Sequence, residues 1–321
     1  MPDHSNTLVA VTGASGAAGQ VIVRHLRDAG LSVRAISRSG RFEIAGAEPA
    51  RLPPPDSPDA GFRALLGGVT HVVHGAGLTN ADPSTPEAAY IDANVRLTAK
   101  VARAAAQTAP GRFVLLSSIR AVVGRGFSGV IDETTPSAPT CAYGRSKRHG
   151  ELEAFGAFSG ESQARLVVLR PAPVYGEVMK GNLQKMLQLA DTPYVLPFAS
   201  LRHQRSLLSV DALARAVLHL LSDPQQFGPA YVIADAKPVS MRDVFAAFRK
   251  GLGRPQRMAA VPPAFLRLSA RLVGKSEAWP GMFADEICNP SALARTGWFP
   301  EQDSLGRLAA VAQRMRGTPQ R

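Results

Sequence analysis

The chain reads as an α/β protein, a Rossmann-like doubly wound parallel sheet with a smaller interleaved C-terminal substrate-binding part. Three observations predict this. An apolar run over residues 8–11 leads through a glycine-rich stretch, 12–19, into a helical pattern at Val21, Ile22, Val23 and Leu26. That is the strand–turn–helix order a dinucleotide-binding loop requires. Apolar strand candidates then alternate with helical ones, and repeated strand–helix units imply a parallel sheet covered on both faces. After Tyr175-Gly176 this rhythm changes. A dinucleotide-binding domain over 1–176 and a substrate-binding part over 177–321 follow, with about 207–235 expected to return to the first.

The elements follow in order. Residues 32–37 read as a second strand. The Pro-rich segment 48–59 reads as a loop or edge, and 70–74 as a short buried strand. A long helix over 90–109 carries Ile91, Val95, Ala102 and Ala106 on one side and is ended by Pro110-Gly111. Residues 112–117 form a strand, 142–155 a helix, and 164–169 a strand closed by Arg170-Pro171. Beyond, 182–190 and 211–221 read as helices and 230–234 as a strand. Ser240 with Asp243 resembles a capping box opening a helix that runs to Gly251. Residues 262–316 read as mostly short helices and loops.

With 321 residues, 45% of them apolar, the chain can bury a sizeable core. No apolar run approaches the ~18 residues that span a bilayer. The opening Met1–Ser5 has no basic segment leading into an apolar one, and Cys141 and Cys288 are the only cysteines. A cytoplasmic, reduced setting without a metal cluster is therefore expected. The net charge of +12 raises the question of nucleic acid. The basic residues are dispersed, however, and a surface that attracts anionic cofactors and substrates explains them without a nucleic-acid partner.

Three groups of residues carry chemistry. In the glycine stretch, Gly13 permits a tight turn, Gly16 lets backbone approach a pyrophosphate, and Gly19 lets the helix lie close to the sheet. Ser15, Ala17 and Ala18 fill the same loop, where helix-start N–H groups would meet phosphate. Tyr143 and Lys147 are four apart in a helical segment and so share a face. A neighbouring ammonium stabilises phenolate, so the tyrosine pKa is expected to fall and Tyr143 to exchange protons near neutral pH. Ser118 ends a strand at the carboxyl edge where open sheets bind ligands, and its hydroxyl can hold a reacting oxygen. Each group also has a plainer reading, as a turn, a surface lysine or a strand-end serine.

Together these residues resemble the extended short-chain dehydrogenase/reductase family. Other stretches agree: Val72-Val73-His74-Gly75-Ala76, Asn94 in the long helix, and residues 170–176 with Pro171 and Val174. The resemblance implies Tyr143 as acid/base, Lys147 holding the nicotinamide ribose, Ser118 orienting substrate, and Asn94 supporting a water linked to the lysine. It implies cofactor contacts at Ala76, Pro171 and Val174. A narrower resemblance, to UDP-sugar epimerases and 4-keto-reductases acting on acetamido sugars, rests on residues 117–120, 142–147, 181–183, 205–208 and Gly297-Trp298. It implies Asn182, Leu183 and Arg205 as contacts to the UDP part, and a small-molecule UDP-sugar as substrate. The arginine that such enzymes carry ahead of the last helix is missing from residues 279–283, and Arg120 or Arg125 could take its place. His71 and His74 are expected to be packed strand residues without a catalytic role. The long helix and the Tyr143 helix could pair with a second copy through Ala99, Ala102 and Ala106, although these alanines serve packing within one chain equally well.

The second strand ends in Ser37-Arg38, with no acidic residue to hold the ribose hydroxyls. Arginine is a planar phosphate partner, so NADP(H) is expected over NAD(H). A carbonyl reductase using NADPH on a small non-nucleotide compound, and a nucleotide-binding protein without catalysis, remain as alternatives.

Overall fold

A computed structural model describes residues 7–41, 44–79, 84–177, 179, 181–262, 264–265 and 284–316. Its strands are β1 (Leu8–Thr12), β2 (Ser32–Ser37), β3 (Glu48–Arg51), β4 (His71–His74), β5 (Phe113–Leu116), β6 (Gly129–Ile131), β7 (Leu166–Pro171), β8 (Val174–Tyr175), β9 (Gln204–Arg205), β10 (Leu208–Ser209), β11 (Ala230–Ile233), β12 (Val239–Ser240) and β13 (Glu286–Cys288). Helices α1 (Ala17–Asp28), α2 (Asp59–Leu65), α3 (Glu87–Ile91), α4 (Leu97–Thr108), α5 (Ala142–Ala157), α6 (Asn182–Ala190), α7 (Val210–Ser222) and α8 (Met241–Leu252) precede a last long helix, Ser304–Arg316.

Seven strands pair in the order β11-β7-β5-β4-β1-β2-β3. All six pairings are parallel. The chain moves outward from β1 through β2 to β3, then crosses back to β4 and continues the other way. The reversal falls between β1 and β4, a topological switch point, and ligands bind open sheets outside the carboxyl ends of the strands at such a point.

The side-chain period of two sorts each strand between two cores. Val9 and Val11 of β1 pack with Ile22 and Leu26 of α1 and with Leu213 and Val217 of α7. Ala10 between them joins Phe62 of α2, Val101 of α4 and Phe113 on the opposite face. A third core joins α6, α8 and the last helix through Leu187, Phe245, Phe248 and Leu308.

The Pro-rich segment contains an edge strand, β3, paired only with β2, and Pro49 sits there because the outer edge needs no donor. Ser240 Oγ accepts from the Asp243 N–H at 3.1 Å and donates to Asp243 Oδ2 at 2.6 Å, capping α8. The sequence suggests short helices and loops over 262–316; the described residues of that range, 262, 264–265 and 284–316, include β13 and the 13-residue Ser304–Arg316 helix. A four-stranded sheet, β12-β9-β13-β6, was not foreseen. Between α3 and α4, Asp92–Arg96 forms a π-helical turn that leaves the helix continuous. Ala102 lies in the core within this chain and Ala106 packs against it. Among the described residues no helix is long and apolar enough to cross a membrane.

Candidate active site

The glycine loop lies at the switch point and its side-chain-free positions are needed there. Gly13 has φ of 75°, and a Cβ would meet the Gly75 carbonyl and the Ala76 nitrogen at 2.7 Å. A Cβ on Gly19 would stand 2.1 Å from the Gly13 oxygen, so helix α1 can approach β1 this closely only with glycine here. Gly16 caps α1 in an extended conformation with no side-chain cap bond. Ser15 is exposed at the crest, while Ala17 and Ala18 open the helix, where N–H groups have no intrahelical acceptor. Ala76 is buried and donates its N–H to Thr12 Oγ1 at 3.2 Å. This cradle, lined by backbone and small side chains, fits a dinucleotide pyrophosphate. Arg38 is exposed just past the end of β2, beside buried Ser37. Pro171 ends β7, and Val174 pairs with Leu208.

Ser118 follows β5, and its hydroxyl favours ionisation of the Tyr143 phenol on α5. Its Oγ also accepts from the Arg120 N–H at 3.1 Å. Lys147 is buried one turn beyond Tyr143, with Nζ donating to the Leu116 carbonyl at 2.7 Å. Asn94 lies in the π turn, accepts from the Leu78 N–H at 2.8 Å, and donates to the Leu78 carbonyl at 2.8 Å and to Ser146 Oγ at 2.9 Å. Tyr90 stacks obliquely on Tyr143 with ring centroids 6.2 Å apart. Ser118, Tyr143, Lys147 and Asn94 thus meet where β5, α5 and the π turn converge.

The Tyr143 phenol does not have the lowered pKa expected from its spacing to Lys147. Desolvation raises it above its ordinary value and outweighs the opposing Ser118 hydroxyl and Arg120 charge. Burial also pushes Lys147 down to about 8, against the pull of Glu151. The sequence reveals helix spacing but not this desolvation.

Asn182 is exposed and Leu183 partly buried in the first turn of α6. Among the described residues no hydrogen bond joins Asn182 to Tyr143 or Arg205. Arg205 lies in β9, where burial lowers its pKa against the attraction of Glu286. The missing-arginine segment, 279–283, lies outside the described residues. Arg120 is engaged by Glu286, with Nη2 donating to Oε1 at 2.6 Å, so it is not an uncommitted replacement for that arginine.

The structure adds two charged clusters. Glu151, fully buried one turn past Lys147, accepts from Ser117 Oγ at 2.6 Å, from Arg170 Nε at 3.0 Å and Nη2 at 2.8 Å, and from Arg148 Nη1 at 3.0 Å. The repeat of acid and base at helical spacing, Lys147 to Glu151, was the available sequence signal. The second cluster, Arg120 with Glu286, spans 166 positions and leaves no local pattern. His74 is buried between Thr12 Oγ1 at 2.7 Å and Thr98 Oγ1 at 3.1 Å, and His71 Nδ1 accepts from the Arg112 N–H at 2.8 Å. Both are the packed strand residues expected.

Comparison with known proteins agrees with this arrangement. The chain is 28% identical over 259 residues to a UDP-glucose 4-epimerase of Vibrio cholerae, covering 78% of each. It is 27% identical over 337 residues to a 2'-dehydrokanamycin reductase of Streptomyces kanamyceticus, covering all of this chain and 84% of that protein. The fold is shared with MoeE5, solved with UDP-glucuronic acid and NAD, at a TM-score of 0.76 and 23% identity over 97% of this chain and 99% of that one. It is likewise shared with a UDP-N-acetylglucosamine 4-epimerase from Bacillus cereus, at a TM-score of 0.75 and 19% identity over 97% and 100%. The model of the NAD dependent epimerase/dehydratase family matches residues 9–234, which is more than half of the chain, and the protein belongs to that family of enzymes.

Proposed function

We propose that the protein transfers hydride between a nicotinamide cofactor and a carbon of a sugar nucleotide, as a UDP-sugar 4-epimerase or 4-keto-reductase. The observation that carries this reading is Lys147, buried one turn beyond Tyr143 with Nζ on the Leu116 carbonyl two residues before Ser118, at the carboxyl end of the sheet next to the glycine cradle. Gly13, Ser15, Gly16, Ala17, Ala18 and Gly19 would hold the pyrophosphate, with Ala76, Pro171 and Val174 along the remainder of the cofactor. Bound there, the nicotinamide supplies or accepts the hydride.

Tyr143 moves the proton at the substrate oxygen, and Ser118 holds that oxygen by hydrogen bonding. The ammonium of Lys147 favours the phenolate and, on turning from the Leu116 carbonyl, can hold the ribose. Asn94 anchors the segment at Leu78 and α5 at Ser146, which keeps the Tyr143 turn in register. Arg205 suits a diphosphate because guanidinium binds phosphate oxygens in pairs, and Asn182 and Leu183 would contact the same UDP part. Ser37 and Arg38, with no acid beside them, support NADP(H) over NAD(H).

Tyr143→Phe should retain cofactor binding and lose most turnover of the sugar nucleotide, followed by nicotinamide absorbance or by product stereochemistry. Full activity in that variant would sink the assignment. A second reading, reduction of a sugar carbonyl without a nucleotide, is favoured by one observation. The Glu286 carboxylate lies against Arg120 and opposite Arg205, where a diphosphate would meet like charge, and one relative is named as a reductase of 2'-dehydrokanamycin. Inhibition by UDP at micromolar concentration supports the first reading, and indifference to UDP supports the second.

A further inference from the structure

Glu151 is a fully buried carboxylate to which the reaction proposed above gives no task. Tyr143, Lys147 and Glu151 follow one another at four-residue spacing on α5 and share one face of it. Lys147 and Glu151 each grip one of two consecutive residues, the last of β5 and the one after it. Lys147 Nζ donates to the Leu116 carbonyl at 2.7 Å, and Glu151 Oε1 accepts from Ser117 Oγ at 2.6 Å. A single peptide joins Leu116 to Ser117, and its N–H donates to the Leu169 carbonyl of β7 at 2.8 Å. The C=O and N–H of a trans peptide point in opposite directions. The carbonyl that receives Lys147 is therefore aimed by β7 from one side and by Glu151, through Ser117, from another. Ser118 is the next residue in the chain. Glu151 also takes Arg170 of β7 with both oxygens, Nε to Oε1 at 3.0 Å and Nη2 to Oε2 at 2.8 Å, and Arg170 precedes Pro171 on the expected cofactor side. Gly150 lets α5 lie close to the π turn, since a Cβ there would stand 2.3 Å from the Asn94 carbonyl oxygen.

We infer that Glu151 is a positioning residue for Lys147: by holding Ser117 and Arg170 it fixes the ends of β5 and β7, and with them the place of the ammonium at the nicotinamide ribose. The inference rests on Lys147 holding that ribose, as proposed above. A buried ion pair adds little stability over apolar side chains of the same volume. What the carboxylate supplies is direction, because its two oxygens take four donors, from Ser117, from Arg170 twice and from Arg148 Nη1 at 3.0 Å. A glutamine of the same shape would turn an NH2 toward a guanidinium donor and lose part of the set. The charge of Glu151 acts in the same sense, favouring the Lys147 ammonium that burial disfavours.

The test reads cofactor affinity and needs no sugar substrate. The full chain is titrated with NADPH, followed by fluorescence, and with 2′,5′-ADP, followed by calorimetry. The second probe carries the adenosine phosphates and no nicotinamide ribose, so it does not reach Lys147. Should the protein prefer NADH, that cofactor and ADP replace the two probes. Glu151→Gln and Ser117→Ala should each weaken NADPH by about fivefold and leave 2′,5′-ADP unchanged. In a Lys147→Met background neither should weaken NADPH further, because both act through the ammonium. A merely structural role weakens both probes together or neither, and weakens NADPH equally with and without Lys147; any of these results overturns the inference. If Glu151→Gln does not fold, Ser117→Ala decides alone, since it leaves Glu151 paired with Arg170 and Arg148. Failure of the underlying reading is separable: Lys147→Met alone then binds NADPH as tightly as the parent, and the inference falls with it.

Discussion

Gly19→Ala is the sharpest perturbation of the cofactor cradle. The added carbon would stand 2.1 Å from the Gly13 oxygen and 2.9 Å from the Ala14 Cα. An ordinary nonbonded contact is ~3.5 Å, so α1 and the loop must separate by about 1 Å. Both obstacles are backbone atoms, and no side chain can turn aside to make room. Overpacking of this kind costs about 1–3 kcal/mol, and at about 2–4 °C per kcal/mol the Tm should drop by several degrees. The same displacement pulls the helix-start N–H groups off a bound pyrophosphate. Loss of one hydrogen bond to a charged group, about 1.5–3 kcal/mol, weakens binding by about tenfold or more. Gly156→Ala is the matched control. It lies in α5 with nothing within 4 Å of the new carbon, so it should be neutral or stabilise by up to about 1 kcal/mol. Thermal melts and a fluorescence titration with NADPH measure both effects. A Gly19→Ala protein with parental Tm and parental affinity would refute the reasoning.

Three further outcomes are expected. Glu151→Gln leaves Arg170, whose side chain is 9% exposed, without its counter-charge, and should cost about 3–5 kcal/mol in urea unfolding; a change under 1 kcal/mol would mean that the network relaxes. His74 is held near a pKa of about 3 by burial, with the Lys147 charge adding to the effect, so between there and its unfolded value only the unfolded chain binds the proton. Stability should therefore fall as pH drops below ~6.5, by ~1.4 kcal/mol per unit from this residue, and His74→Gln should flatten that slope; an identical slope in the variant contradicts the assignment. Arg38→Asp should move the NADPH-to-NADH affinity ratio toward NADH by about tenfold or more, and an unchanged ratio would remove Arg38 from the cofactor site.

What could be read from the sequence follows from where each constraint acts. Gly13 and Gly19 answer to a backbone angle and a close approach, which restrict residue type at a single position and so remain visible. Tyr143 and Lys147 share a helix face, which spacing alone reveals. The burial that raises Tyr143, and the Tyr90, Ser118 and Arg120 groups that act on it in either direction, come from α3 and from the loop after β5, and no local window contains them. The same holds for Arg120 with Glu286. Strands β6, β9, β12 and β13 are two or three residues long, too short for alternation of apolar and polar positions to register. The Pro-rich edge was legible as an edge because proline leaves few other places in a sheet.

The π turn at Asp92–Arg96 gives the site a dependence on residue count. A π turn holds one more residue than the α turn it replaces. Deleting one residue within it would let the helix close into regular α geometry without losing hydrogen bonds or burying any new group. The α turn that remains closes the same circle with one residue fewer, so Tyr90 and α4 would keep their relative orientation. Tyr90 would stay against Tyr143 and α4 would keep its core contacts, while the turn that presents Asn94 to Leu78 and Ser146 would be rebuilt. The segment thus carries a residue that the phase of the helix does not require, and that extra residue is spent on the turn that holds Asn94.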